Sequence, residues 1–138
     1  MRLETLERWL GRKPERMQLN LARTEAAKEF AQRLRETSLS SEIGQVVLFG
    51  SVAKYRDHEF SDIDLAVEVK TTEYIIPDLI LRPIEAKLAE IGFQVTGERF
   101  PCRSGNVFHC TVLSTAQLLD GDSFSAVISA IQDDGIGI

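Results

Sequence analysis

The chain has 138 residues, of which 43% are hydrophobic and 27% are charged, and its formal net charge is -5 at pH 7. This size and composition are typical of a soluble globular domain, so we expect residues 1–138 to form a single domain with its own core. The acidic balance argues against a protein that coats nucleic acid. No apolar run approaches the roughly 20 residues that span a bilayer, and the charged N-terminus lacks the apolar segment of a signal peptide. We therefore predict a cytoplasmic protein that does not bind membranes.

The chain contains two cysteines, Cys102 and Cys110, without Cys-x-x-Cys spacing and without a cluster of histidines around them. This pattern indicates neither a disulfide framework nor a zinc site. We expect both cysteines to be reduced and to behave as small hydrophobic residues.

The first 37 residues predict two helices. Apolar residues recur at helical spacing until Gly11, namely Leu3, Leu6, Trp9 and Leu10. Pro14 suits the first turn of a second helix that runs to about Thr37. The segment 1–37 holds nine Lys and Arg against six Glu. A contact with nucleic acid is therefore open, but a solvated helix face is the simpler interpretation, and Trp9 is a candidate partner contact.

The centre of the chain predicts a strand, a tight turn, a short helix and a second strand. The first strand covers about 45–49, Gly50-Ser51 forms the turn, and the helix covers 51–57. A loop over 58–61 then leads into the second strand at about 62–69. Asp62 and Asp64 share one face of that strand because alternate side chains point the same way.

Two adjacent carboxylates repel each other unless a cation or a proton lies between them. Mg²⁺ takes oxygen ligands and typically uses one or two protein carboxylates together with substrate phosphates. A glycine lets the backbone approach a ligand closely, and the N–H groups at a helix start attract anions. The pattern thus predicts that Asp62 and Asp64 face a phosphate cradle at Gly50 and Ser51.

The remainder predicts further helices and strands. A helix is expected from Tyr74 to Ile91, with a kink or break at Pro83 and a stop at Gly92. We predict a third strand over 93–100 and a fourth over 107–113, antiparallel to the third. Short helices follow over Ala116–Leu119, capped by Ser114 or Thr115, and near Ser123–Ile131, and the glycine-rich tail from Asp133 is expected to fray. The predicted fold class is α+β, with a mixed sheet of about four strands flanked by helices.

The spacing Gly50-Ser51, ten residues, Asp62-Ile63-Asp64 resembles the signature of the DNA polymerase β-type nucleotidyltransferase superfamily, and particularly its small, minimal members. The resemblance covers roughly residues 44–115, with 1–37 as a helical extension. It implies a Mg²⁺- or Mn²⁺-dependent transferase with ATP as substrate. Asp62 and Asp64 would be catalytic metal ligands, and Gly50 and Ser51 would hold the phosphates. The chain departs from the family at Lys54-Tyr55-Arg56, where Arg-Gly is common: Lys54 and Arg56 are candidate triphosphate contacts, and Tyr55 replaces a small, flexible residue.

Active members of this family usually have a third carboxylate on a later strand that lies beside the Asp-x-Asp strand. The fourth predicted strand offers Cys110 or His109 at that position, and we expect His109 to occupy it. An imidazole can accept a proton but is a poor Mg²⁺ ligand. Glu98 is an alternative third acid, although a surface charge is the simpler interpretation of it.

Two functional hypotheses follow from the resemblance. In the first, the protein transfers a nucleoside monophosphate, AMP from ATP, to a hydroxyl of a protein or small molecule. Minimal members often act as antitoxins that modify an RNase of the HEPN class, which makes such a toxin a candidate partner. In the second, the missing acid marks a catalytically inactive module that acts through partner contact.

Overall fold

The computed structural model describes residues 3–58, 60–120 and 125–138, with side chains from residue 17 onward. Its elements are α1 (Leu3–Arg35), a 3-10 turn (Ser40–Glu42), β1 (Ile43–Phe49), α2 (Gly50–Ala53), β2 (Ile63–Val69), α3 (Asp78–Arg99), β3 (Phe108–Ser114), α4 (Thr115–Leu118), α5 (Ala126–Asp134) and β4 (Ile136–Gly137). This is the predicted α+β architecture, with a mixed sheet of four strands and flanking helices.

The strand order in the sheet is β3-β2-β1-β4. Strand β2 pairs antiparallel with β1 and parallel with β3, and β4 pairs antiparallel with β1. A parallel pair needs a crossover connection, which α3 provides between β2 and β3. The prediction that the last long strand lies beside the Asp-x-Asp strand is confirmed, but its predicted antiparallel partner over 93–100 is wrong, because those residues belong mainly to α3.

Helix α3 continues through both residues that were expected to interrupt it. The buried residues Ile84, Leu88, Ile91 and Val95 keep helical spacing across the whole segment. Gly92 lies inside this helix and is buried, and a Cβ at that position would meet the Asn106 side chain at 2.5 Å. The glycine therefore permits close packing against the loop before β3 and does not end the helix. Pro83 lies within the helix, which begins at Asp78 after Pro77, later than predicted.

Helix α1 is one continuous helix, so the predicted break between Gly11 and Pro14 is wrong. A glycine costs about 1 kcal/mol and a proline about 3 kcal/mol inside a helix. The C-terminal half of α1 is anchored by residues that are at most 1% exposed, Ala26, Ala27, Phe30, Ala31 and Leu34. Extending a helix from such an anchored segment costs less than nucleating a new one. The side chain of Trp9, the predicted partner contact, lies outside the described residues.

The sheet is covered on both faces. One face packs against α1 and α3 in a core that includes Phe30, Leu48, Leu65 and Ile84. The opposite face packs against α5 in a smaller cluster, Val47, Phe49, Ala66, Leu113, Ile128 and Ile131. Within the described part of the chain, no helix is long and apolar enough to cross a membrane.

The C-terminal tail is ordered, contrary to the prediction that it frays. Residues Ile136 and Gly137 pair with β1, and Ile138 N–H donates to the Val46 carbonyl at 2.9 Å. Arg35 of α1 donates to the Ile138 carbonyl at 2.5 Å. The open edge of β1 thus gives the glycine-rich segment hydrogen-bond partners that its composition alone does not reveal. The predicted start of the last helix near Ser123 lies outside the described residues.

Candidate functional site

Two strand registers bring the central motif together with β3. Phe49, the last residue of β1, pairs with Asp64 of β2, so the following Gly50 lies next to the Asp64 side chain. On the other side of β2, Asp64 pairs with His109 of β3. Since paired residues of adjacent strands point to the same face, the sheet places the His109 side chain beside the Asp64 carboxylate, as the sequence predicted.

Gly50 starts α2 with a φ of +74°, in the left-handed region that favours glycine. A Cβ at this position would overlap Oδ2 of Asp64. The bend therefore requires glycine for two independent reasons, its backbone conformation and the close approach of the carboxylate. The Asp64 carboxylate therefore lies against the backbone of the turn after β1.

Asp62 and Asp64 lie in different electrostatic environments. Asp62 precedes β2 and its side chain is 59% exposed, whereas that of Asp64 is 28% exposed. Burial raises the pKa of Asp64, and the nearby charge of Asp62 raises it further, while His109 acts in the opposite direction. Of these influences on the pKa of Asp64, burial is the largest and the charge of Asp62 is the smallest.

Each of these carboxylates has a basic partner. His109 Nδ1 lies 3.3 Å from Asp64 Oδ1. Arg103 Nη2, from the loop that connects α3 to β3, lies 3.3 Å from Asp62 Oδ1. Arg103 was not predicted as a site residue, since an isolated arginine in a polar turn carries no periodic or motif signal. Its position just before the strand that supplies His109 was the only available hint.

Glu98 is not brought into the site. It lies in α3, where Arg33 of α1 binds its carboxylate. The alternative in which a strand residue Glu98 completes the metal site is therefore wrong, because a helix replaces the predicted third strand. His109 is the residue that the structure places beside Asp64.

The predicted triphosphate contacts after α2 have different surroundings. Lys54 Nζ lies 3.4 Å from Asp134 Oδ2 of α5, while Arg56 is exposed. Between them, Tyr55 has a φ of +60°, so it adopts the left-handed conformation that a glycine would favour at this position. Ser51 is half-buried in α2, and its carbonyl accepts a hydrogen bond from Arg56 N–H at 2.8 Å.

A buried polar network fixes the loop between α2 and β2 to α1. The Asp57 side chain is 1% exposed, and it accepts a hydrogen bond from Asn20 Nδ2 at 2.6 Å and lies 3.6 Å from Arg23 Nη1. Asn20 also donates to the Val52 carbonyl at 3.0 Å, and Arg23 Nε donates to the Ser61 carbonyl at 3.4 Å. Helix α1 therefore positions the residue immediately before Asp62.

The donor set suits a hard divalent cation. Two carboxylates supply oxygen ligands next to the bend at Gly50. In the described ranges 3–58, 60–120 and 125–138 there is no cluster of three or more His, Cys, Asp or Glu arranged to hold a metal. A complete protein cage is thus absent from that part of the chain, and Mg²⁺ usually takes its remaining ligands from substrate phosphates and water.

Comparison with known proteins identifies the family. The profile of the family described as "Polymerase beta, Nucleotidyltransferase" matches residues 28–98, just over half of the chain. The match contains Gly50, Asp62 and Asp64 and ends before Arg103 and His109. None of the curated proteins compared with the chain matches it significantly. Domains of this family generally use a divalent metal ion and a nucleoside triphosphate. The chain therefore belongs to the polymerase β-type nucleotidyltransferase family, and its general function is nucleotidyl transfer.

Proposed function

We propose that this protein transfers AMP from ATP to a hydroxyl group, with Mg²⁺ or Mn²⁺ held by Asp62 and Asp64. The observation that carries the proposal is the apposition of Gly50 and Asp64, because it joins a metal-binding carboxylate to backbone that a phosphate can approach. The ion would neutralise phosphate charge in the transition state. We further propose that residues 1–138 act as one nucleotidyltransferase domain.

Each site residue has a proposed role. Gly50 and Ser51 present backbone N–H groups to the phosphates, and Lys54 and Arg56 contact the triphosphate. The acceptor hydroxyl oxygen attacks the α-phosphorus, the bond between the α-phosphorus and the bridging oxygen breaks, and pyrophosphate leaves. His109 accepts the hydroxyl proton, since its imidazole is 70% exposed and lies against Asp64, which can orient it.

The exposure of the site supports a macromolecular acceptor. The side chains of Asp62 and His109 are 59% and 70% exposed, so a hydroxyl on a protein surface can reach them without entering a deep cleft. An RNase toxin of the HEPN class is the acceptor that the family resemblance implies, which would make this protein its antitoxin. Nucleic acid is a less favoured acceptor because the net charge is -5.

The test uses ATP labelled at the α-phosphate, Mg²⁺ or Mn²⁺, and a purified HEPN-class RNase as acceptor. Label transfer with release of pyrophosphate is expected. Asp64→Asn should reduce the rate about 100-fold or more, since a metal carboxylate contributes several kcal/mol to transition-state stabilisation. Gly50→Ala should also reduce the rate, because its Cβ would displace the Asp64 carboxylate. Asp78→Asn, at an exposed carboxylate in the first turn of α3, is the matched control and should retain full activity. Transfer that is unchanged in Asp64→Asn would refute the assignment of the site.

A binding module without turnover is the second candidate. It is supported by the residue opposite Asp64, which is a histidine and not the third acid of active family members. This alternative predicts that the RNase is inhibited by complex formation alone, to the same extent with and without ATP, and that Asp64→Asn inhibits it as well as the wild type does.

A further inference from the structure

Arg103, in the segment that connects α3 to β3, and His109, the second residue of β3, lie against the two carboxylates of the candidate site. Arg103 Nη2 is 3.3 Å from Asp62 Oδ1, and His109 Nδ1 is 3.3 Å from Asp64 Oδ1. The segment is fixed to β2 by the hydrogen bond from Ile63 N–H to the Val107 carbonyl at 2.9 Å. Both acidic side chains of the motif are thus matched by basic ones that follow α3.

We expect the Arg103–Asp62 ion pair to contribute little to the stability of the fold. The side chain of Asp62 is 59% exposed and that of Arg103 is 30% exposed, so water screens their attraction. Exposed ion pairs of this kind contribute little to folding. The adjacent loop is held by a different pair, Arg23–Asp57, whose side chains are only 3% and 1% exposed.

The chemistry of a guanidinium suits a different partner. Its planar array of N–H donors matches the oxygens of a phosphate group and remains charged at all relevant pH values. A nucleoside triphosphate brings several negative charges to a site that already contains two carboxylates. Lys54 is engaged by Asp134 at 3.4 Å, whereas Arg103 lies directly at one of the carboxylates proposed to hold the metal.

We propose that Arg103 is a phosphate-binding residue that exchanges partners: it neutralises Asp62 in the free protein and binds a triphosphate oxygen once Asp62 ligates the divalent ion. This inference rests on the proposed function. It makes Arg103 a competitor of the metal ion in the absence of nucleotide and a ligand of the nucleotide in its presence. Removing the guanidinium should therefore change the two affinities in opposite directions.

The experiment measures both affinities on the full chain. Free Mn²⁺ is followed by electron paramagnetic resonance without nucleotide, and a non-hydrolysable ATP analogue is titrated calorimetrically in the presence of Mn²⁺. Arg103→Gln should bind Mn²⁺ about 2- to 5-fold more tightly, as expected for loss of an exposed competing ion pair. It should bind the analogue about 10- to 100-fold more weakly, as expected for loss of charge-assisted hydrogen bonds.

Two further variants identify the cause. Arg103→Lys keeps the positive charge but loses the planar pair of N–H donors of the guanidinium. Its Mn²⁺ affinity should stay near the wild-type value, and its affinity for the analogue should fall between those of wild type and Arg103→Gln. Arg82→Gln removes an exposed arginine of α3 and should change neither affinity. Urea unfolding of all variants verifies that they fold.

The outcomes separate this inference from the proposed function. If wild type binds Mn²⁺ and the analogue but Arg103→Gln is unchanged, Arg103 is a bystander and this inference fails alone. If Arg103→Gln loses both affinities together, Arg103 is a structural support and the inference also fails. If the wild type binds neither ligand, the proposed function and this inference fall together.

Discussion

The buried ion pair between Arg23 and Asp57 makes the sharpest stability prediction. Replacing Asp57 with Ala should lower the free energy of unfolding by about 3–5 kcal/mol, because removing one partner of a buried ion pair is strongly destabilising. Arg23 is 2% exposed and Asp57 is 3% exposed, so water cannot solvate the remaining charge unless α1 moves. The substitution also removes the acceptor of the 2.6 Å hydrogen bond from Asn20. Since small domains are stable by about 5–15 kcal/mol, this loss is a large fraction of the total.

A second ion pair provides the control. Lys87 and Glu90 of α3 are separated by 2.9 Å, closer than the 3.6 Å of the buried pair, but their side chains are 35% and 54% exposed. Replacing Glu90 with Ala should cost less than about 0.5 kcal/mol, because an exposed pair gains little over its interaction with water. The burial of an ion pair, and not the distance between its charges, therefore decides how much stability is lost when the pair is broken.

Urea unfolding followed by circular dichroism measures both effects. With an unchanged slope, the shift of the midpoint gives the change in free energy. If Asp57→Ala costs less than about 1 kcal/mol, or no more than Glu90→Ala, then the Arg23 guanidinium is solvated or re-paired and the buried-pair argument is refuted.

Three further predictions concern single positions. Burial raises the pKa of Asp64 above its ordinary value of 3.8, so the folded state disfavours the ionised carboxylate. This lowers the stability of the wild type fully above the raised pKa, and not at all well below pH 3.8. At pH 7 the free energy of unfolding of Asp64→Asn, measured with urea, should therefore exceed that of the wild type, by less than about 1 kcal/mol since solvent screens the site. At pH 3 the two proteins should be equally stable, and equal stability at pH 7 would contradict the prediction. At Tyr55, with its φ of +60°, Gly should be more stable than Ala by about 1 kcal/mol in the same assay, because only Ala must place a Cβ in the left-handed region. A thiol reagent at pH 8 should modify exposed Cys102 but not Cys110, whose pKa burial raises to about 12, and Cys102→Ser should abolish the labelling of the folded protein.

The part of the fold that could be predicted is the part with short-range physical signals. Alternation of apolar and polar residues identified β2, and the period-2 rule placed Asp62 and Asp64 together. The family resemblance, together with the order of elements, then predicted that the strand containing His109 lies beside them, as the register with Asp64 shows. These conclusions depend on local sequence patterns and on the placement of one strand, β3, beside β2.

The misplaced elements depended on contacts between distant segments. Gly92 has the properties of a helix stop in isolation, but the close approach of Asn106 requires a glycine inside a continuing helix. The tail at Ile136 has poor strand propensity, yet the free edge of β1 pairs with it. Arg103 was missed for the same reason, because its partner Asp62 is 41 residues away in the chain.

The histidine opposite Asp64 changes how the carboxylates of the site are stabilised when no metal ion is bound. A third carboxylate at that position would add like-charge repulsion whenever no cation is bound. Here Arg103 places a positive charge against Asp62, and His109 adds no negative charge beside Asp64, so fewer acids have to be offset by a metal ion. The same pairing makes a divalent ion compete for its ligands, and a nucleotide that attracts Arg103 lowers that competition. Ion and nucleotide should therefore bind cooperatively, each strengthening the other by the same factor.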